Sequence, residues 1–336
     1  MKKLSLGYRI LYFVNVAFAI LLALSYLTSF VSPRTFSLLA LINFSIPLLW
    51  VFNICFALIW LVKLKKYFFL SFIVIALGWF HFQKLFVLKS IDKDNEHSFK
   101  VMSYNVMQFY SLKDNRKSTY KDIESFIYQE NPAILCMQEL KYFKKPIFKK
   151  FKYNTLDTQN LSLQSAIYSH YPILDVKRFD FEASGNSAIY ADIKMKADTI
   201  RVFSAHFQSL NLKPDIATIN EEPKEKLIKR LQKVFEKQLN QFDLIKEDVT
   251  HSPYPVLFCA DMNNTALSYL YQQITDLGLK DSFLESGKYY GKTFNFGVLP
   301  VRIDMILLSD SLDANSFKNY DVDYSDHFPV MAEIKL

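Results

Sequence analysis

Three long apolar stretches open the chain, and short alternating or amphipathic segments run from there to its end. The stretches cover 10–31, 36–62 and 67–88, about 22, 27 and 22 residues, each long enough to cross a hydrocarbon core of roughly 30 Å. Residues 1–90 are therefore predicted to form a membrane domain with three transmembrane helices. A cleaved leader does not fit the first stretch, because its apolar run exceeds a signal peptide's hydrophobic region and no small-x-small cleavage site precedes the second. The third is the least uniform, since His81, Gln83 and Lys84 fall near its end. Residues 91–98 (IDKDNEHS) are polar and read as a linker. Beyond them the apolar runs shorten and predict strands over 99–106, 133–139, 165–168, 188–196, 199–207, 256–260, 303–308 and 330–334. The runs 188–196 and 199–207 alternate across Ala197-Asp198, as a hairpin does. Helices are predicted over 120–130, stopped by Asn131-Pro132, and over the long amphipathic run 222–246. Hairpins interleaved with helical crossovers imply one α/β domain over 99–336, its mixed sheets covered by helices.

Composition narrows the class. A chain that is 51% apolar and 16% aromatic is not disordered, and 7 Gly exclude a collagen-like or glycine-rich repeat. Three Cys exclude a disulfide scaffold, and Cys55, Cys136 and Cys259 all read as buried small hydrophobes. The net charge of +7 suggests a nucleic-acid partner until its distribution is considered. Residues 1–90 hold nine basic residues and no acidic one, whereas the remainder holds 31 basic and 33 acidic residues, a net of −2. The N-terminal cations report orientation instead. Lys2, Lys3 and Arg9 precede the first stretch and Lys63, Lys65 and Lys66 crowd the second connection, against Arg34 alone in the first. Such an excess marks the cytoplasmic side, so three crossings would place residues 99–336 on the extracytoplasmic, periplasmic side of a multi-pass protein.

Candidate chemistry collects at strand ends. Asn105 closes the first predicted strand, Glu139 the second, His206 the hairpin, and Asp261 with Asn263 the run VLFCADMNN; Asp304 lies in RIDMILLS, and Asp326-His327 stands before the last strand. Strand ends on one edge of a sheet converge in space. Hard carboxylate and amide oxygens (Asn105, Glu139, Asp326) suit Mg²⁺ or Mn²⁺. A carboxylate or imidazole can take a proton from an attacking water, and a second histidine can contact a phosphate or protonate a leaving oxygen. Together these supply what metal-assisted phosphodiester hydrolysis needs.

The ordered motifs SYNV (103–106), MQE (137–139), IYSHYPI (167–173), SAHFQS (204–209), ADMNN (260–264), RIDMILLS (302–309) and SDHFPV (325–330) resemble the endonuclease/exonuclease/phosphatase superfamily. That group includes pancreatic-type deoxyribonucleases, abasic-site endonucleases, neutral sphingomyelinases and inositol-polyphosphate 5-phosphatases. The resemblance implies a deoxyribonuclease-like fold of two mixed β-sheets packed as a sandwich and flanked by helices. It implies Asn105, Glu139 and Asp326 at the metal; Asp261 and Asn263 handling the nucleophilic water; and His327, oriented by Asp304, at the scissile phosphate. His206 matches the histidine that the deoxyribonuclease and sphingomyelinase branches use as phosphate contact or general acid. Abasic-site enzymes usually lack that histidine and carry an Asp where this chain has Met107, which argues against abasic-site repair. Members often read YSRYPI where this chain has His170, so a phosphate contact there and a packing role both stay open.

Two other motifs fail on spacing. GKYYGKT (287–293) has three residues between its glycines where a phosphate-binding loop needs four, and Ser325-Asp326-His327 are adjacent residues that cannot all converge as a triad. KYFKKPIFKKFK (141–152) sets six Lys among four aromatics directly after Glu139, either a solvated segment or a basic shoulder for a polyanion. The expected function is membrane-anchored, metal-dependent phosphoesterase, foremost nuclease-like hydrolysis. The expected partners are a phosphodiester substrate (nucleic acid or phospholipid headgroup) and the membrane, with no protein partner. A phospholipid or sphingomyelin phosphodiesterase and a non-catalytic tethered binding domain are the alternatives.

Overall fold

The computed structural model describes residues 5–88, 98–110, 118–141, 147–157, 163–182, 184–210, 223–296 and 299–336. Most of the predicted linker (91–97) and the centre of the lysine cluster (142–146) lie outside the described residues. In chain order the strands are β1 (Phe86–Val87), β2 (Ser98–Asn105), β3 (Ile134–Leu140), β4 (Tyr153–Asn154), β5 (Gln164–Ser169) and β6 (Ile173–Asp180). There follow β7 (Ser187–Lys194), β8 (Thr199–His206), β9 (Val256–Asp261), β10 (Leu279–Asp281), β11 (Tyr289–Tyr290) and β12 (Phe294–Phe296). The last four are β13 (Leu299–Val301), β14 (Asp304–Ser309), β15 (Asp313–Asn319) and β16 (Val330–Lys335).

Two six-stranded sheets form, in the orders β10-β14-β9-β8-β7-β6 and β15-β16-β2-β3-β5-β4. Each mixes one parallel pair, β8 with β9 and β2 with β3, into an otherwise antiparallel ladder. Their facing sides interdigitate: Val101, Cys136 and Ile167 from one sheet meet Val202, Cys259 and Ile306 from the other. The outer faces are covered by the apolar stripes of two helices. Ile123, Phe126 and Ile127 of Tyr120–Glu130 cover one, and Leu239, Phe242 and Ile245 of Lys224–Thr250 cover the other. The first of these helices ends as its sequence requires, with Asn131 in the left-handed region (φ 50°, ψ 57°) ahead of Pro132. The α/β sandwich flanked by helices is thus the observed architecture. Two edge strands, β6 and β15, had no apolar alternation to announce them, because an edge strand can leave much of its length in water.

The N-terminal region departs from the three predicted spans. Leu6–Ser29 and Pro33–Val62 are long and apolar enough to cross a membrane by length and composition. The third stretch is not one such helix: Phe68–Leu77 ends at Gly78, and the short helix Trp79–Gln83 and β1 follow. Gly78 is where the ring of Tyr26 lies against the backbone, so that a Cβ there would collide with it. The Tyr26 hydroxyl donates to the Val74 carbonyl at 3.0 Å. Where Leu6–Ser25, Ile46–Val62 and Phe68–Leu77 meet, polar side chains are buried together. Asn15 donates to Ser71 Oγ (2.6 Å), Ser71 to Asn53 Oδ1 (3.1 Å), and Trp60 Nε1 to Asn15 Oδ1 (2.9 Å). Such bonds hold helices together where apolar surroundings offer no other partner. Cys55, expected to be buried, is exposed on the Ile46–Val62 helix, because that helix is apolar on every side and burial cannot be read from its sequence. Cys136 and Cys259 are buried as expected.

Candidate active site

Strand pairing alone assembles most of the polar set. His206 ends β8 directly beside Asp261 at the end of parallel β9, and antiparallel β14 begins with Asp304 opposite that same Asp261. On the second sheet Asn105 ends β2 beside Gln138 of parallel β3, one residue before Glu139. Both parallel pairs therefore deliver their C-terminal ends to one rim of the sandwich, and side chains bridge the two sheets there. Asn105 Nδ2 donates to Asp261 Oδ2 at 2.8 Å and to Glu139 Oε1 at 3.3 Å. Its own Oδ1 accepts the Met107 N–H at 3.0 Å.

Glu139 sits at a break in the β3–β5 register with φ 52°, a left-handed conformation that costs a glutamate free energy. The chain holds this position where the carboxylate meets Asn105 and His206. Both imidazoles converge on a single oxygen: His206 Nε2 lies 3.5 Å and His327 Nε2 3.6 Å from Asp261 Oδ2. His206 Nε2 is also 3.7 Å from Glu139 Oε1, and it is buried with no hydrogen-bond partner among the described residues. On its other side, His327 Nδ1 lies 3.0 Å from Asp304 Oδ2.

The Asp304–His327 pair is buried. Burial raises the Asp304 carboxyl to about 6; the His327 charge opposes that rise, and the nearby Asp261 carboxylate adds to it. Burial works against the His327 cation, but the Asp304 and Asp261 carboxylates outweigh it and hold the imidazole well above its ordinary range. His327 Nδ1 thus faces Asp304 and its Nε2 faces Asp261. Asp261, Asp304 and His327 also lie close enough together to resemble a metal cluster. Their possible ligand atoms all lie within 4.8 Å of one another.

Residues 102–327 match the Endonuclease/Exonuclease/phosphatase family. The chain belongs to that family. As a member it is a phosphoester hydrolase, and the non-catalytic reading falls away. Residues 8–85 match a domain of unknown function (DUF8431). No curated protein matches the chain. Among solved structures, an endonuclease/exonuclease/phosphatase from Beutenbergia cavernae DSM 12333 is similar at 12% identity, with 72% of each chain covered and a TM-score of 0.52. The human nocturnin catalytic domain is similar at 15% identity, covering 75% of this chain and 97% of that one, TM-score 0.51. D. rerio TDP2, solved with a single-strand DNA product, is similar at 13% identity, covering 71% of this chain and 99% of that one, TM-score 0.50. These likenesses concern the fold.

The family is metal-dependent, and the donors fit a hard cation. The Glu139 side chain is 24% exposed, and Asp326 is brought to the end of β2 by Ser325, whose hydroxyl donates to the Asn105 carbonyl at 2.8 Å. Asn105 presents its amide nitrogen to the carboxylates, so ligation through its oxygen would require the amide to turn over and release Met107. Asn263, also left-handed (φ 47°), donates its backbone N–H to Asp261 Oδ1 at 2.9 Å and its amide to the Phe207 carbonyl at 3.0 Å, tying the two histidine-side loops together.

His170 and the lysine segment are the two features whose role the sequence leaves open. His170 follows β5, whose Ser169 pairs with Ile134 at the start of β3, the end of the sheet remote from Glu139; its ring stacks on Phe151 at 4.6 Å. The packing alternative is the observed one. In the lysine cluster, Lys141, Lys150 and Lys152 lie over the rings of Tyr110, Tyr128 and Tyr153. Three supports of the site stand outside the expected site residues. Thr293 Oγ1 accepts the N–H groups of Ile303 (2.9 Å) and Asp304 (3.0 Å), which fixes where β14 begins. Phe294 packs on the His327 ring at 4.9 Å. Arg302, beside them, forms a buried ion pair with Asp281 at 2.8 Å. The RID motif signalled Arg302, but its partner lies outside any motif.

Proposed function

We infer that the chain is a membrane-anchored phosphodiesterase that uses Mg²⁺ or Mn²⁺, with nuclease-like cleavage as its leading activity. The observation that carries this reading is the meeting of two imidazoles at Asp261 Oδ2, with Glu139 beside them. A phosphodiester placed there meets His327 Nε2–H on one side and His206 on the other. Asp261, steadied by Asn105 and the Asn263 N–H, accepts the proton of the attacking water. The second imidazole, His206, is the one the deoxyribonuclease-like branch employs. Glu139 and Asp326, with Asn105 behind them, would hold the cation, whose oxygen donor set favours Mg²⁺ or Mn²⁺. When bound, it neutralises charge developing on the phosphoryl oxygens.

The anchoring and its direction draw support from the helical packing. Tyr12 stacks by Tyr67 at 4.7 Å, and Tyr26 by His81 at 4.7 Å, so the third stretch runs beside the first over 14 residues, roughly 21 Å of helix. Lys63, Lys65 and Lys66 stand at the Tyr67 end, and the catalytic domain follows the opposite end. That polarity agrees with a cytoplasmic N-terminus and an extracytoplasmic hydrolase. A lipid-headgroup substrate is the second reading. It is favoured because the apolar module packs on the segment after His206, the long helix and the loop after Asp261: Ala40, Leu41 and Phe44 against Leu210 and Phe235, and Ile46 against Leu267.

The test is turnover by the full chain on single-stranded DNA, RNA and choline-phospholipid vesicles, each with and without Mg²⁺ or Mn²⁺. Metal-dependent cleavage of nucleic acid, absent in Glu139→Gln, is expected. Cleavage confined to the vesicles would replace the nuclease reading with the lipid one, and turnover on none of the three would overturn both.

A further inference from the structure

The N-terminal helices touch the active-site loops through polar side chains as well as apolar ones. Asn43, buried between the helices Pro33–Ala40 and Ile46–Val62, donates to Asn264 Oδ1 at 2.7 Å and accepts from Thr265 Oγ1 at 2.7 Å. Asn264 and Thr265 directly follow Asn263. The bonds continue inward: Asn264 Nδ2 donates to Gln238 Oε1 (2.9 Å), and Gln238 Nε2 lies 2.8 Å from the Gln208 carbonyl and 3.3 Å from that of Asn263. One buried network therefore reaches both the loop after Asp261 and the loop after His206. Thr28 and Ser29 hold the same loop further along, their hydroxyls 3.0 and 2.7 Å from the Leu267 carbonyl. Asn43, Gln238, Asn264, Thr265, Thr28 and Ser29 are all buried, so losing one partner strands the others without water.

We propose that the helical module is a structural half of the active site and that Asn43 is a positioning residue. Through Asn264 and Thr265 it sets the loop on which Asp261 and Asn263 meet the two imidazoles. This deepens the hydrolase reading above and rests on it. The module's packing then determines the rate of hydrolysis as well as the protein's location.

The test uses the full chain in bilayer nanodiscs, with bis(p-nitrophenyl) phosphate and Mg²⁺ or Mn²⁺. Asn43→Ala removes both bonds, and Thr265→Val removes one hydroxyl at constant volume. Thr265→Ser keeps that hydroxyl. Arg34→Ala perturbs the same interface at the exposed Asp243 pair, away from the loop. The expected result is a fall in kcat of about tenfold or more for Asn43→Ala and Thr265→Val at little-changed KM, with Thr265→Ser and Arg34→Ala near parental. Combining the two damaging changes should cost little more than one alone, since they act through one network. Amide hydrogen exchange over 261–268 should rise in those two variants only. Unchanged exchange there overturns the proposal whatever the turnover, and so does raised exchange with unchanged kcat. Raised exchange in a parent chain background that has no turnover supports the positioning and instead refutes the hydrolase reading.

Discussion

Asp304 is buried against the His327 imidazole, and that burial changes what its carboxyl can do. Its carboxyl titrates at about 6, and below that pH the protonated group no longer holds His327 by charge. Turnover should therefore fall as pH drops through about 6, read from the pH–rate profile on a simple diester. Asp304→Asn removes the charge at constant shape. It should lower kcat by roughly 10²–10⁴-fold and erase the acidic limb near that pH. Single residues were the most legible part of the sequence. Asn105, Glu139, His206 and Asp261 announced themselves because each follows a buried strand, and parallel pairing puts such ends at one rim. His170 shows the limit of that logic. Its motif matched, but antiparallel pairing of β5 with β3 carries it to the other end of the sheet, and nothing in a strand's own sequence states its direction.

Elements were legible where burial imposed a period, as in Tyr120–Glu130, and silent where it did not, as in the edge strands β6 and β15. The supports between elements were silent as well. Arg302 and Asp281 are fully buried partners that join the start of β14 to the end of β10, and Tyr271 adds a hydroxyl at 2.8 Å from Asp281. A pairing across 21 positions leaves no periodic trace. Asp281→Ala should lower stability by about 3–5 kcal/mol, because it leaves a buried guanidinium without its charge partner. Thermal unfolding of the full chain would measure it. Asn131 offers a smaller test: Asn131→Gly should be nearly neutral and Asn131→Val destabilising by about 1–2 kcal/mol, since a β-branched residue resists the left-handed region.

At the scale of the molecule, the net charge of +7 belongs to the helices rather than to the hydrolase. A reporter fused at Lys100 should be active if it works only outside the cytoplasm. A reporter confined to the cytoplasm that is active there would reverse the proposed orientation. The sequence suggested three spans through long apolar runs, but they became two long stretches and a broken third, since length alone cannot see Gly78 packed beneath Tyr26. The contact between the N-terminal helices and the active site was illegible for the same reason as the Arg302 pair: Asn43 lies 221 positions from Asn264.

Metal-dependent hydrolysis at the Glu139–Asp261–His327 rim is the central claim, and turnover of a simple phosphodiester across a Mg²⁺ or Mn²⁺ titration tests it most directly. The parent chain should turn over only with cation present and stop on chelation, with Glu139→Gln and His327→Ala each slower by roughly 10²-fold or more. Chelator-insensitive turnover, or equal rates in all three proteins, would contradict it.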